Sequence, residues 1–124
     1  MANPVNHFEV TGTDGPKLQR FYREVFAWTI NADNPMGYGM VSPSEGGIGG
    51  GISGGGEGGQ AGRGVTFYVE VANLEQTLDA VQAAGGKTVM PPGNAPGGPR
   101  LAQFEDPEGN RIGLTQAGTM QQPG

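Results

Sequence analysis

The chain has a single histidine, His7, which stands two residues before Glu9. Residues 5–11 (VNHFEVT) alternate between apolar and polar types, which predicts a half-buried strand with His7, Glu9 and Thr11 on one face. An imidazole with an unperturbed pKa of about 6.5 can act as a general base. The alternative is a histidine that is hydrogen-bonded in the wall of a polar cavity. Glu9 could tune that histidine or bind a cationic ligand, and its alternative is a solvated carboxylate.

A second alternating segment, residues 65–71 (VTFYVEV), places Thr66, Tyr68 and Glu70 together on one face of another predicted strand. The opposite face is apolar and carries Val65, Phe67, Val69 and Val71. The flat ring and hydroxyl of Tyr68 suit an aromatic ligand, and a core position is the alternative.

Two amphipathic helices are expected to position these strands. Apolar residues at three- and four-residue spacing follow the cap residues Thr13 and Asp14 and predict a helix from about 15 to 26. Asn73 and Gln76 resemble a capping box, and the helix that they begin is expected to stop at Gly85-Gly86. Short strands are also predicted at 28–30, 38–41, 87–90, 101–105 and 111–116. The segment 46–53 is ambiguous, because glycine weakens strand propensity.

The elements therefore run β-α-β-β-β twice, which indicates an internal repeat of roughly 55–60 residues. This order predicts an α+β fold of two tandem βαβββ modules, with curved mixed sheets around a cavity and the helices on the outer face. We expect module 1 at about 4–56, a Gly-rich linker at about 54–64, module 2 at about 65–116 and a flexible tail at 117–124.

Composition excludes several classes of function. Seven Lys and Arg against 12 Asp and Glu give a net charge of −5 with no basic cluster, which argues against nucleic acid and membrane partners. The absence of cysteine excludes disulfides, a thiolate nucleophile and Cys-ligated zinc. No secretory signal or membrane span is recognisable, so a cytoplasmic location is expected. A hydrophobic content of 35% is low for so short a chain, which favours burial against a partner subunit.

Glycine is unusually frequent, at 25 of 124 residues. Twelve of these glycines lie in residues 46–64 and three lie in residues 91–99, so the rest of the chain has an ordinary glycine content. A phosphate-binding loop is not supported, because the stretch lacks the Gly-x-x-x-x-Gly-Lys-Ser/Thr pattern. The sequence thus predicts a normal domain that carries two Gly-rich segments.

Several short motifs, taken in order, resemble the vicinal oxygen chelate superfamily, which includes glyoxalase I, bleomycin-resistance proteins and extradiol dioxygenases. They cover about residues 4–116 and comprise His7-Phe8-Glu9-Val10, Phe21-Tyr22, Phe26-x-Trp28, Tyr68-Val69-Glu70-Val71, Gly85-Gly86, Pro91-Pro92 and Asp106-Pro107-Glu108-Gly109-Asn110. The resemblance implies two βαβββ modules, a homodimer and a ligand bound in the sheet cavity.

The resemblance also implies four metal-ligand positions, of which only His7 can ligate here. The others fall at Thr66, at Gly113 and within Gly46–Ile52, where no His, Asp or Glu is present. No metal cofactor is therefore expected. A divalent metal held by His7 and Glu9, or a site completed by a second subunit, is the alternative.

The expected function is metal-free binding of a small aromatic or amphipathic molecule. A metal-dependent lyase or dioxygenase of the glyoxalase type with an atypical ligand set is the alternative, and a structural or partner-binding module is a third. Whether the chain is an enzyme stays open, with His7 as the candidate catalytic residue. The predicted ligand-binding residues are His7, Glu9, Thr66, Tyr68, Met40, Gln103 and Arg111.

Overall fold

The computed structural model describes residues 2–54, 64–95 and 98–119. Its elements are β1 (Val5–Thr11), α1 (Gly15–Phe26), β2 (Ile30–Asn31), β3 (Gly39–Val41), β4 (Gly49–Ser53), β5 (Gly64–Val71), α2 (Leu74–Ala83), β6 (Lys87–Asn94), β7 (Arg100–Glu105) and β8 (Arg111–Gln116). The order βαβββ occurs twice, so the predicted α+β class with two modules is confirmed. Among the described residues, no helix has the length and hydropathy that a membrane span requires.

The chain divides into two compact units. The first unit is residues 7–66, and the second is residues 67–124 together with residues 1–6. β1 and β5 each cross this division, because their first residues belong to one unit and their later residues to the other.

In the first unit, β4 lies between β1, to which it is parallel, and β3, to which it is antiparallel. The short β2 pairs with β3 at the edge, in the order β2-β3-β4-β1. Strand residues alternate between the two faces of a sheet. One face packs against α1 through Ile30, Val41 and Ile52, to which Phe8, Val10, Leu18, Tyr22 and Trp28 add. The other face carries His7 and Glu9, as the alternation in residues 5–11 predicts.

Local capping explains where the two helices begin. The Asp14 carboxylate accepts a hydrogen bond from the Lys17 amide at 3.1 Å, and Pro16 occupies the first turn of α1. At α2 the Asn73 side chain accepts from the Gln76 amide at 2.8 Å. Both predicted caps are confirmed, because each depends only on residues next to the helix start.

In the second unit, β8 lies parallel to β5 and antiparallel to β7, which pairs with β6, in the order β5-β8-β7-β6. Leu74 and Leu78 of α2 pack on one face of this sheet against Val71, Ala102 and Leu114. The other face carries Tyr68, Gln103 and Gly113, which are neighbours in register.

The turn between β7 and β8 also forms as predicted. Asp106 accepts hydrogen bonds from the amides of Glu108 and Asn110 and from the Asn110 side chain, which lowers the pKa of its carboxyl. Gly109 adopts φ +88°, which favours glycine.

Three expectations differ from the structure. The predicted apolar face of β5 is only half covered, because α2 and its core reach Val69 and Val71 while Val65 and Phe67 are exposed. The ambiguous Gly-rich segment forms strand β4, and β6 runs beyond residue 90 to Asn94 with shifts in its register.

The expected tail and linker are only partly described. Residues 117–119 do not fray, because the Ala117 amide bonds to the Val71 carbonyl and the Thr119 hydroxyl accepts from the Arg100 amide. Residues 55–63 of the predicted linker and residues 120–124 lie outside the described residues. The module boundaries stay a prediction.

Candidate functional site

Three side chains of the first unit form a hydrogen-bonded chain on the sheet face opposite α1. The Tyr38 hydroxyl lies 3.0 Å from Glu9 Oε2, to which it donates, and 3.1 Å from His7 Nε2. We name His7, Tyr38 and Glu9 the polar cluster. Glu9 is buried, whereas His7 and Tyr38 are half-buried.

The elements around Tyr38 fix the position of its ring. Tyr38 immediately precedes β3, and its backbone is held at both ends by Asn34: its amide donates to the Asn34 side-chain oxygen at 3.0 Å, and its carbonyl accepts from the Asn34 side-chain nitrogen at 2.8 Å. Gly37 has φ +65° and allows the tight turn that precedes the tyrosine. The loop therefore aims the ring across β3 toward β1.

The ring of Tyr38 lies over the backbone of Gly51 in β4. A β-carbon at position 51 would overlap the tyrosine ring and its hydroxyl. Gly51 is next to Glu9 in register on one side and next to Met40 on the other. A glycine in a strand interior often marks such a close approach, and here it is what lets Tyr38 reach Glu9.

The electrostatics of the polar cluster follow from burial and from proton count. Burial lowers the pKa of His7, so its imidazole is neutral at neutral pH. Since the single hydroxyl proton of Tyr38 is donated to Glu9, the tyrosine oxygen can only accept from His7. The imidazole proton must therefore sit on Nε2. The cluster is a directed chain from imidazole to phenol to carboxylate that holds Glu9 as an anion acceptor.

The second unit repeats part of this arrangement. Tyr68 lies over Gly113, where a β-carbon would overlap its ring, and its hydroxyl accepts from Gln103 Nε2 at 3.1 Å. Tyr68 is 5% exposed and Gln103 is 4% exposed, so both side chains lie within the unit. Tyr68 covers its own sheet, and no described contact of its ring or hydroxyl involves a ligand group.

The structure brings only some of the predicted ligand-binding residues together. His7, Glu9 and Met40 share one face of the first unit, where Met40 is exposed and lies beside Gly51. Thr66 is buried in the first unit. In the second unit Arg111 starts β8, opposite Glu105 in register and away from the Tyr68–Gln103 pair. The roles of all seven residues in binding stay predictions.

Sequence reasoning did not identify Tyr38 as a site residue. The signal that could have found it is the set of glycines in β4, because Gly49 and Gly51 stand opposite His7 and Glu9 in register. Side chains are missing at both positions next to two polar residues, which indicates that another side chain fills that space.

The donor set of the described residues does not fit the metal site that the resemblance implies. Within residues 2–54, 64–95 and 98–119, no three His, Cys, Asp or Glu side chains lie close enough to hold an ion. The space above Gly51 and Gly113 is filled by tyrosine rings. The Tyr38 oxygen and one oxygen of Glu9 are already engaged with each other. No chemical step is therefore derived through a metal here.

Solved structures of low sequence identity share this fold. A hypothetical protein from Bacillus halodurans C-125 is 15% identical, with a TM-score of 0.71, and the match covers 99% of this chain and 100% of that one. Methylmalonyl-CoA epimerase in complex with methylmalonyl-CoA and NH4+ is 14% identical, with a TM-score of 0.64, over 99% and 100% of the two chains. Methylmalonyl-CoA epimerase from Mycobacterium tuberculosis is 13% identical, with a TM-score of 0.67, over 90% and 86%.

No curated protein matches the chain significantly. The family model described as Glyoxalase/Bleomycin resistance protein/Dioxygenase superfamily matches residues 5–114, which is most of the chain. With two βαβββ modules and this match, the chain belongs to the Glyoxalase/Bleomycin resistance protein/Dioxygenase superfamily.

Proposed function

We propose that the chain binds a small aromatic or amphipathic molecule without a metal ion, on the face of the first unit that carries the polar cluster. One observation carries the proposal: the space above Gly51 is filled by Tyr38, which bonds to His7 and Glu9. Hydrogen-bonding groups thus occupy the place where the resemblance implies metal ligands.

The surroundings of the polar cluster favour a flat ligand with one polar end. Gly49 and Gly51 lack side chains, and Met40 beside them is 41% exposed. A thioether makes favourable contacts with aromatic rings and adapts to their shape. His7 and Tyr38 offer polar atoms next to this apolar surface. Thr66, Tyr68, Gln103 and Arg111 remain predicted ligand contacts.

Binding of 8-anilinonaphthalene-1-sulfonate, an aromatic amphipathic probe, tests the proposal. We expect saturable fluorescence enhancement that EDTA does not change. Met40→Ser is expected to raise the Kd about tenfold, a loss of about 1.4 kcal/mol. The matched control is Met36→Ser, since Met36 is 56% exposed in the loop before Tyr38 and outside the strands. Equal effects of both substitutions, or no saturable binding, would contradict the proposal.

Metal analysis separates the proposal from its alternative, a metal-dependent enzyme of the glyoxalase type. Protein purified without chelator is expected to contain substoichiometric Ni, Zn, Fe and Mn. Stoichiometric metal that is lost in His7→Gln would support the alternative instead. Methylmalonyl-CoA is a second probe for the wild type, because one structural neighbour was solved in complex with it. A cytoplasmic location stays a prediction.

A further inference from the structure

α1 presents apolar side chains on the surface turned away from its own sheet. Phe21 is 53% exposed and Val25 is 54% exposed, while Leu18 is half-buried. Positions 18, 21 and 25 follow the three- and four-residue spacing that places side chains on one side of a helix. We name Leu18, Phe21 and Val25 the α1 stripe. Its residues take little part in the core of the first unit, to which only Leu18 contributes.

The N-terminal end of the α1 stripe opens into a cleft of about 470 Å³. Leu18 and Phe21 form part of its wall, and Val10 and Val65 form another part. Val65 is 76% exposed although it is apolar, so this wall is covered by nothing else in the first unit. A recess with apolar walls therefore lies directly beside a projecting apolar stripe on the same surface.

The charged residues beside the α1 stripe are complementary to themselves. Lys17 and Glu24 are both exposed and stand seven residues apart, about two helical turns, along the same side of α1. If a second α1 lies antiparallel across the first, Lys17 of each copy faces Glu24 of the other. A two-fold interface repeats each contact, so the arrangement makes two equivalent ion pairs. A parallel arrangement would place like charges together instead.

We propose that the α1 stripe is the docking surface for a second copy of this chain, with the two α1 helices antiparallel. About 10 Å of helix separates positions 18 and 25, at a rise of ~1.5 Å per residue. In the antiparallel arrangement Val25 of each copy therefore lies at the cleft beside Leu18 of the other. Both the knob and the recess then lose their exposed apolar surface.

This dimer is independent of the proposed ligand site. The α1 stripe belongs to the helix layer, and the polar cluster lies on the opposite face of the same sheet. Loss of one is therefore expected to leave the other intact, and failure of the ligand proposal leaves the dimer proposal standing.

Sedimentation equilibrium of the whole chain across a range of protein concentrations tests the proposal by charge reversal. We expect a reversible dimer in the wild type, and a dimer Kd raised about tenfold in Lys17→Glu and in Glu24→Lys. The double variant Lys17→Glu/Glu24→Lys is expected to restore the wild-type Kd. Asp79→Lys is the control, because Asp79 is exposed on α2 in the second unit and lies outside the proposed contact.

Restoration in the double variant is the decisive result, because a loss of folding would not be reversed by a second charge change. Phe21→Gln is an independent probe, since it removes apolar surface without touching either charge, and it is expected to raise the Kd about tenfold. Circular dichroism confirms that each variant is folded. A monomer at every concentration, or a dimer whose Kd ignores both charge reversals, would overturn the proposal.

Discussion

The phenol ring of Tyr38 lies over the backbone of Gly51, in the space that any side chain at position 51 would need. The hydroxyl of that ring bonds to Glu9 and His7 on the neighbouring strand. Glycine at 51 and the polar cluster therefore depend on each other. The high glycine content of this segment reflects close packing of a ring on a strand.

Gly51→Ala is expected to destabilise the chain, because the new methyl group overlaps the Tyr38 ring. Overpacking of this kind costs about 1–3 kcal/mol. The free energy of unfolding in urea measures the effect. Gly47→Ala is the matched control, because a β-carbon at 47 meets only an ordinary contact with the Ser44 carbonyl oxygen.

A second measurement identifies the ring as the cause. In a Tyr38→Ala background the overlap is gone, so the further change Gly51→Ala is expected to cost less than about 0.5 kcal/mol, and the two substitutions are strongly coupled. An unchanged cost of Gly51→Ala in that background would show that backbone conformation, and not the ring, requires the glycine.

The sequence predicts those features of the fold that are encoded locally. The cap at Asp14 and the apolar spacing after it predict α1 at its observed bounds, and the alternation in residues 5–11 predicts β1. β4 stayed ambiguous because its strand conformation comes from pairing with β1 and β3, which are distant in sequence. Strand propensity alone does not reveal such pairing.

The candidate site was predictable only in part for the same reason. His7 and Glu9 lie on one face of a strand, which the alternation of residue types indicates. Tyr38 was missed because its ring position depends on Asn34 and on a glycine in another strand. The exposed Val65 was assigned to a buried face because alternation shows which residues share a face, and it does not show whether a helix covers that face.

His7 is expected to make stability depend on pH. Burial lowers the pKa of His7 in the folded state, whereas in the unfolded chain it stays near 6.5. Between these two values the unfolded state binds the proton more readily, so stability is fully present above about pH 6.5 and falls as the pH is lowered. The free energy of unfolding between about pH 5 and 8, measured for the wild type and for His7→Gln, isolates this contribution.

The difference in unfolding free energy between the two proteins is expected to shrink as the pH falls. NMR titration of the imidazole gives a direct check, and its signals are unambiguous because the chain has one histidine. A pKa at or above 6.5 in the folded protein would contradict the burial that the structure shows. The same spectra report the proton on Nε2.

Leu74 is expected to be a large contributor to the stability of the second unit. It is fully buried at the start of α2, where it packs into the core with Val71, Ala102 and Leu114. Leu74→Ala leaves a cavity and is expected to cost about 2–5 kcal/mol, measured by thermal or urea unfolding. Met36→Ala is the control, since Met36 is exposed, and its cost is expected within about 0.5 kcal/mol. Similar costs for both would mean that α2 does not form this core.

Arg100 is expected to control the titration of Glu75. Its guanidinium donates to the Glu75 carboxylate, at 3.0 Å for one pair of atoms, and also to Gln116. This hydrogen bonding lowers the pKa of Glu75 to about 2. In Arg100→Gln we expect the pKa to return toward its usual value, as followed by NMR of the carboxyl carbon.

The sign of the linked effect follows from the lowered pKa of Glu75. A carboxyl whose pKa is depressed on folding contributes stability above its unfolded pKa, and that contribution is lost as the pH falls toward about 2. Because Glu75 is on the surface, added salt is expected to weaken the effect. Lys87→Gln is the control, since Lys87 pairs with Glu105 and its removal leaves the Arg100–Glu75 contact in place. A Glu75 pKa that moves equally in both variants would show a general field of positive charge and not the bond to Arg100.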